Sequence, residues 1–332
     1  MTSPSAGARR TLPVAAPGPW GLARWSGIVG LGVLLAGLVW MPTGTLDVFW
    51  NLVVPLLPIS FLVSPLLWRA VCPLATLNML SNGAIRRRTL EGNWIPRATT
   101  IGVILLFVLV PARRFLFNQD ATALAVTVGA VGAAALILGL FFDAKAGFCN
   151  SICPVLPVER LYGQHPLATR VPNTRCQPCT TCSARGCIDL APTKSIAQTL
   201  GRARRSRNWL LTPYGLFAAA FPGFIVAYFT ATDGPASRFA EVYAHVGLDV
   251  VVSVGVVTTV SVMLEMPSRV LMPLLGALAV GLYYWFASTT LAAWVPGPET
   301  VVAGALRVIF LGTVAAWLAR ALWAVRVSPD PH

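Results

Sequence analysis

Apolar residues along this 332-residue chain fall in long, nearly unbroken blocks rather than in the alternation of a half-buried strand. Eight blocks reach the roughly 20 residues that a helix needs to cross a bilayer. They lie near 22–41, 46–67, 99–117, 121–142, 209–230, 245–264, 270–290 and 301–323. The pattern predicts an all-α integral membrane protein of about eight transmembrane helices. The second block contains Pro55, Pro58 and Pro65, and proline removes backbone donors inside a helix, so this span is expected to be kinked or partly re-entrant. Polar stretches then divide the chain into five parts. Residues 1–19 form a tail expected to be disordered, and 20–142 a first four-helix membrane unit. A soluble-looking loop at 143–208 separates it from a second four-helix unit at 209–325, and 326–332 is a short tail.

Composition sharpens this. Hydrophobic residues make up 56% of the chain and charged residues only 11%, against about a quarter charged in soluble domains. The net charge of +13 would point to nucleic acid in a soluble protein. Here its distribution explains it better. With the span ends taken alternately, 21 of the 25 Lys and Arg fall on one side. Only Arg113, Arg114 and Arg238 fall on the other, and Arg307 lies inside the last span. By the positive-inside bias both termini and the 143–208 loop are expected to be cytoplasmic, in a membrane of the bacterial inner type. The bilayer is then the partner of the basic residues, and no nucleic acid is expected. Arg9-Arg10 fits such an anchor better than a twin-arginine export signal, because no convincing small-residue cleavage site follows. Trp20, Trp25, Trp40, Trp209 and Trp323 sit at block ends and are expected to anchor in the interfaces.

Six of the seven cysteines lie between Cys149 and Cys187. Cys176, Cys179 and Cys182 repeat at a two-residue gap, the spacing by which a short loop converges three thiolates on one iron–sulfur cubane. Structural zinc more often uses two Cys-x-x-Cys knuckles separated by a longer loop, so iron–sulfur is the favoured reading. Clustered cysteines also argue for ligation in a reducing compartment rather than for disulfides. The fourth thiolate is Cys187, or Cys153 folded back from the preceding helix exit. Seven cysteines cannot supply eight ligands. A second cluster would therefore be of three-iron type or take another ligand, for which His165 and Asp189 are the nearest candidates. Cys149 and Cys153 lie in Cys-Asn-Ser-Ile-Cys-Pro after the fourth block, and Cys72-Pro73 follows the second, with Trp68 in the place of Cys149. This weak repeat predicts a duplicated helical hairpin that ends in Cys-Pro.

Polytopic spans, a Cys-x-x-x-Cys-Pro at a helix exit and a following ferredoxin-type cysteine loop together resemble the NapH/NosR-type membrane ferredoxin family. The resemblance covers roughly residues 20–230. It implies that Cys149 and Cys153 match the family's Cys-x-x-x-Cys-Pro motif and that Cys176, Cys179, Cys182 and Cys187 match one ferredoxin motif. It implies electron transfer between a quinol or a cytoplasmic ferredoxin-like donor and a partner redox protein, often in support of a periplasmic metalloenzyme. The chain departs from the pattern at Trp68, lacks a second ferredoxin motif and has no flavin-binding domain before its first span.

Two ionisable residues fall inside late spans, Asp249 in the sixth and Arg307 in the eighth, and charges at such depth are costly unless paired. They are expected to pair, with His245 one turn before Asp249, either as a quinone or proton site or as a lock between helices. Only three histidines exist, so a bis-histidine b-type haem is excluded by count. No acid–base or nucleophile constellation appears. The sequence therefore points to an iron–sulfur electron-transfer subunit with one [4Fe–4S] cluster, a second in question, and quinone as a further candidate cofactor. It is not expected to act as a stand-alone catalyst. The competing reading from the same cysteines is a metal-handling or metalloenzyme-assembly protein, and a third is a cluster that only staples the loop.

Overall fold

The computed structural model of the protein describes residues 19–81, 84–85, 94–142, 145–168, 192–205 and 207–327. Eight of its helical segments are long and apolar enough to cross a membrane: Gly21–Trp40, Pro42–Val63, Pro96–Arg114, Ala121–Phe141, Pro213–Thr230, Ala236–Met263, Ser268–Ala292 and Glu299–Val327. The chain is an all-helical, multi-pass membrane protein. Cys176, Cys179, Cys182, Cys187 and Asp189 lie outside the described residues.

The first span is α1 (Pro19–Trp40). The second is not one helix. It is built from α2 (Pro42–Val48), a π-helical turn over Phe49–Val53, and α3 (Val54–Val63). Pro55 and Pro58 cannot donate to the carbonyls one turn earlier, which is why the regular ladder fails here. Ser64 is extended, α4 (Pro65–Val71) follows, Cys72 is extended again, and α5 (Pro73–Ser81) continues. The expected kink in this block is thus two interruptions, the π turn just before Pro55 and the extended Ser64 before Pro65, while Pro58 sits within α3.

The third and fourth spans are α6 (Trp94–Leu109) and α7 (Ala121–Phe141). Asp120 caps α7 by accepting from the Ala123 amide. After the cysteine-bearing segment come α8 (Leu156–Tyr162) and α9 (Pro192–Leu200). Thr212 then caps α10 (Pro213–Thr230), with Pro213 in its first turn. The remaining spans are α11 (Phe239–Met263), α12 (Ser268–Ala292) and α13 (Glu299–Val327). α11 packs on α10 and α13 on α12, while α10 and α12 pack together and carry the core. Phe217, Phe221 and Phe224 bury one face of α10, and Ala218, Ala219 and Ala227 let neighbours approach closely.

At the end away from the cysteines, Arg113 joins three elements. It donates to Asn118 and to Asn51 of the π turn, bonds the Tyr228 hydroxyl, and stacks 4.9 Å from the centre of the Trp50 ring. Arg114 pairs with Asp233 at 2.8 Å. Of the expected interface anchors, Trp25, Trp40 and Trp323 are exposed on the helical body, but Trp209 is 2% exposed and belongs to the core. It lies in the 3₁₀ turn leading into α10 and belongs to the same core cluster as Tyr214 and Phe217.

The segment read as the start of a solvated loop is buried. Lys145, Phe148, Cys149, Ser151, Cys153 and every residue of α8 are buried. Residues 145–168 therefore re-enter the helical body. Cys153 and Ile152 place their carbonyls against Gly102, at 3.0 and 3.4 Å from where its Cβ would be. Gln164 donates to the Met272 carbonyl at 3.2 Å. Gly102 lies eight residues into α6, so at 1.5 Å per residue the Cys153 turn sits on the order of 12 Å in from the first residue of that helix.

Candidate metal centre

Cys72, Cys149 and Cys153 are free thiols and all are buried. They share one cluster with Ala75, Ala135, Phe148 and Leu156, against which Trp68 packs. The two Cys-Pro sites, 81 residues apart by number, are thus brought together, and Trp68 faces the same cluster as its repeat counterpart Cys149. Local sequence explains the convergence. Cys72 is extended because it precedes Pro73, and the turn from α4 into α5 aims it inward. That turn can approach α1 only because residue 27 is glycine. A Cβ there would overlap the Val71 carbonyl. The Cys149–Cys153 turn is closed by the Asn150 amide to Lys145 O and the Cys153 amide to Phe148 O.

Burial sets the chemistry of these thiols. Desolvation pushes all three up, with Cys149 raised well above the ordinary thiol range and Cys153 raised to about 12. The neighbouring thiols and Glu159 add to the rise, whereas Arg69 and Lys145 oppose it. Unligated, the site is a protonated thiol cluster. Binding a metal here must release those protons.

Beside it lies a buried ion pair that the sequence reading missed. Arg69 is 4% exposed and Glu159 2%. The Arg69 guanidinium forks onto Glu159, with Nε 3.1 Å from each carboxylate oxygen and Nη2 2.9 Å from Oε2. It also donates to Asn150 Oδ1 at 2.7 Å and to the Cys149 carbonyl at 3.3 Å. The signal was available: an arginine three residues before Cys72, and a lone acid inside the apolar run Val155–Leu161.

Among the described residues, no three His, Cys, Asp or Glu side chains stand in a ready-made metal-ligand arrangement. The three cysteines share a cluster, not a coordination sphere. Their donor chemistry nevertheless fits a thiophilic group: three soft donors, shielded from water and flanked by the cations Arg69 and Lys145. His165, one of the two extra ligand candidates, feels Arg320 of α13, and burial followed by that cation holds its imidazole below the usual range.

The late-span site differs from expectation. His245 does stand one turn before Asp249, with Nε2 3.9 Å from Asp249 Oδ2 and 2.9 Å from Thr230 Oγ1. Arg307 does not join them. It donates to the Trp285 carbonyl at 3.0 Å and stacks 4.9 Å from the centre of that ring. Asp249 is on α11 and Arg307 on α13, which pack against different central helices. The expected Asp249–Arg307 pair is therefore absent.

Compared with known proteins, the chain matches no family model, and neither a curated protein nor a solved structure gives a significant match.

Proposed function

We propose that this protein is an integral-membrane iron–sulfur electron carrier of the NapH/NosR type. It would pass single electrons between a quinol or a cytoplasmic ferredoxin-like donor and a partner redox enzyme. The observation that carries the reading is the buried, disulfide-free cluster of Cys72, Cys149 and Cys153. In the chain it is followed, 23 residues after Cys153, by Cys176, Cys179, Cys182 and then Cys187. In this reading the triplet takes a [4Fe–4S] cluster, with Cys187 or Cys153 as fourth thiolate, and the buried thiols take part in a second thiolate-bound group. When bound, such groups supply one-electron chemistry. The chain's own part is to exclude water through Phe148, Leu156 and Trp68, and to place Arg69 and Lys145 where thiolate charge would develop. The charge bias along the sequence puts this end on the cytoplasmic side of a bacterial-type inner membrane. Asp249 with His245, and Arg307 alone, remain candidates for quinone or proton handling.

The test is iron and acid-labile sulfide per chain on anaerobically purified protein, with EPR before and after dithionite. About four of each with a reducible signal is expected for the loop cluster alone, and a higher iron count that falls on Cys72→Ser for a second group. Zinc or copper with no reducible signal would overturn the electron-transfer reading in favour of metal handling.

A further inference from the structure

The two late-span charges that fail to meet each other also lack any other partner of full opposite charge. Among the described residues Asp249 has no lysine or arginine beside it, and Arg307 has no carboxylate. His245 Nε2, at 3.9 Å, is beyond hydrogen-bond distance of the Asp249 carboxylate and faces the Thr230 hydroxyl instead. Both charges reach the surface of the helical body. The Asp249 side chain is 27% exposed on α11, and Val252 and Val256, on the same helix face, are exposed with it. Arg307 is half-buried on α13, beside the exposed Val308 and one turn from Gly304, where a Cβ would meet nothing within 4 Å. Ionisable side chains within a bilayer pair with one another or face water. Here each lies on a face that a single chain leaves to hydrocarbon.

A run of contacts sets their levels. Arg307 stacks on Trp285. The next residue, Phe286, stacks on Phe229 with ring centres 5.2 Å apart. Thr230 follows Phe229 and reaches His245. Arg307 and His245 therefore stand at one level, and Asp249 lies one turn deeper, about 6 Å at 1.5 Å per residue. That offset is within the reach of an arginine side chain. The two charges also sit at opposite ends of the packing order α11–α10–α12–α13.

We infer that the α11 face around Asp249 and the α13 face around Arg307 are the two halves of a contact between copies of this chain, closed by an Asp249–Arg307 ion pair across it. The contact is head to tail. One copy gives the carboxylate and the next gives the guanidinium, so contacts repeat until a ring closes. Copies in one membrane share an orientation, so the two faces meet at matching depth. Each face supplies the charge that the other lacks, and this complementarity within one sequence selects a second copy as the occupant. The inference does not rest on the iron–sulfur reading.

The experiment co-expresses two differently tagged full-length copies and measures how much of one tag recovers the other from detergent-solubilised membranes. Parent copies are expected to co-purify. Asp249→Arg in both copies, or Arg307→Asp in both, sets like charges across the contact, and recovery should fall about tenfold or more. An Asp249→Arg copy mixed with an Arg307→Asp copy again has opposite charges at every contact between unlike copies, so recovery should return. Parent copies that stay apart, single reversals that associate like the parent, or a mixture that stays apart each overturn the inference. Asp249→Asn and Arg307→Gln remove only the charge and cover the case of a reversal that does not fold. Each should stay monodisperse and lose recovery, and recovery equal to the parent's overturns the pair.

Discussion

The Tyr284 hydroxyl bridges two backbone groups of α3 that lie one turn apart, the Ile59 amide and the Pro55 carbonyl. It accepts from the amide at 2.8 Å and donates to the carbonyl at 3.0 Å. That carbonyl is the helical acceptor one turn before Ile59. A side chain from α12 thus bonds to the backbone of α3 just after the π turn and ties the first half of the chain to the second. Tyr284→Phe removes the relay without changing shape. The expected cost is about 1–3 kcal/mol, the usual penalty for unpairing buried polar groups. Thermal unfolding of the detergent-solubilised protein measures it, and an unchanged midpoint would mean that the helix closes on its own.

Gly27 and Gly30 make a matched pair on one helix. A Cβ at 27 collides with the Val71 carbonyl beside Cys72, whereas a Cβ at 30 meets nothing within 4 Å. Gly27→Ala should force α1 away from the Cys72 turn, lower thermal stability and speed alkylation of Cys72. Gly30→Ala should be neutral or slightly stabilising, since alanine is the better helix former by about 1 kcal/mol. Equal behaviour of the two variants would contradict the close approach of α1 to this turn.

The raised thiols predict a pH profile. A thiol whose pKa is raised stays protonated, so its alkylation rate grows about tenfold per pH unit until the pKa is reached. For Cys153 in the metal-free protein that growth should continue to about pH 12, where an ordinary thiol has already levelled off. The linked effect on stability has the same origin. Above the unfolded thiol range the unfolded chain has lost protons that the folded one retains, so folding stability falls as pH rises from there toward the folded value. Mass-spectrometric mapping of alkylated Cys72, Cys149 and Cys153 across pH checks the first part. A plateau near pH 9 would contradict the burial.

Arg307 has Trp285 in place of an acid. Arg307→Leu removes a cation–π contact worth roughly 0.5–1 kcal/mol and also a charge from an apolar zone. Stability should change by no more than about 1 kcal/mol, and His245 and Asp249 should be unaffected, because they belong to a different helix pair. Retained stability with lost electron transfer would assign Arg307 to a functional site.

The spans were legible because long apolar runs have few alternatives in water. What the sequence concealed follows from what a linear pattern cannot carry. Asp249 and Arg307 could be placed by depth, but depth says nothing about which way a helix turns its face, and α11 and α13 lean on different neighbours. Lys145, Asn150, Glu159 and Arg160 made 143–168 look solvated, since polar residues usually mark the surface. Within the structure these residues are held inside by partners, as Glu159 is by Arg69. The same polarity hid the best clue to the site, which is that Arg69 and Cys149 belong together. The repeat matched Cys72-Pro73 with Cys153-Pro154 as positions in the sequence, whereas their packing into one cluster is visible only in the structure.

The re-entrant segment also has a history in time. Gln164 binds a carbonyl 108 residues later in the chain, at Met272, and Gly276 closes over Leu161 from the same helix. During synthesis α8 is therefore complete long before the helix that packs on it exists. The re-entrant segment can take its final seat only when α12 arrives, so a late part of the chain decides where an early part comes to rest.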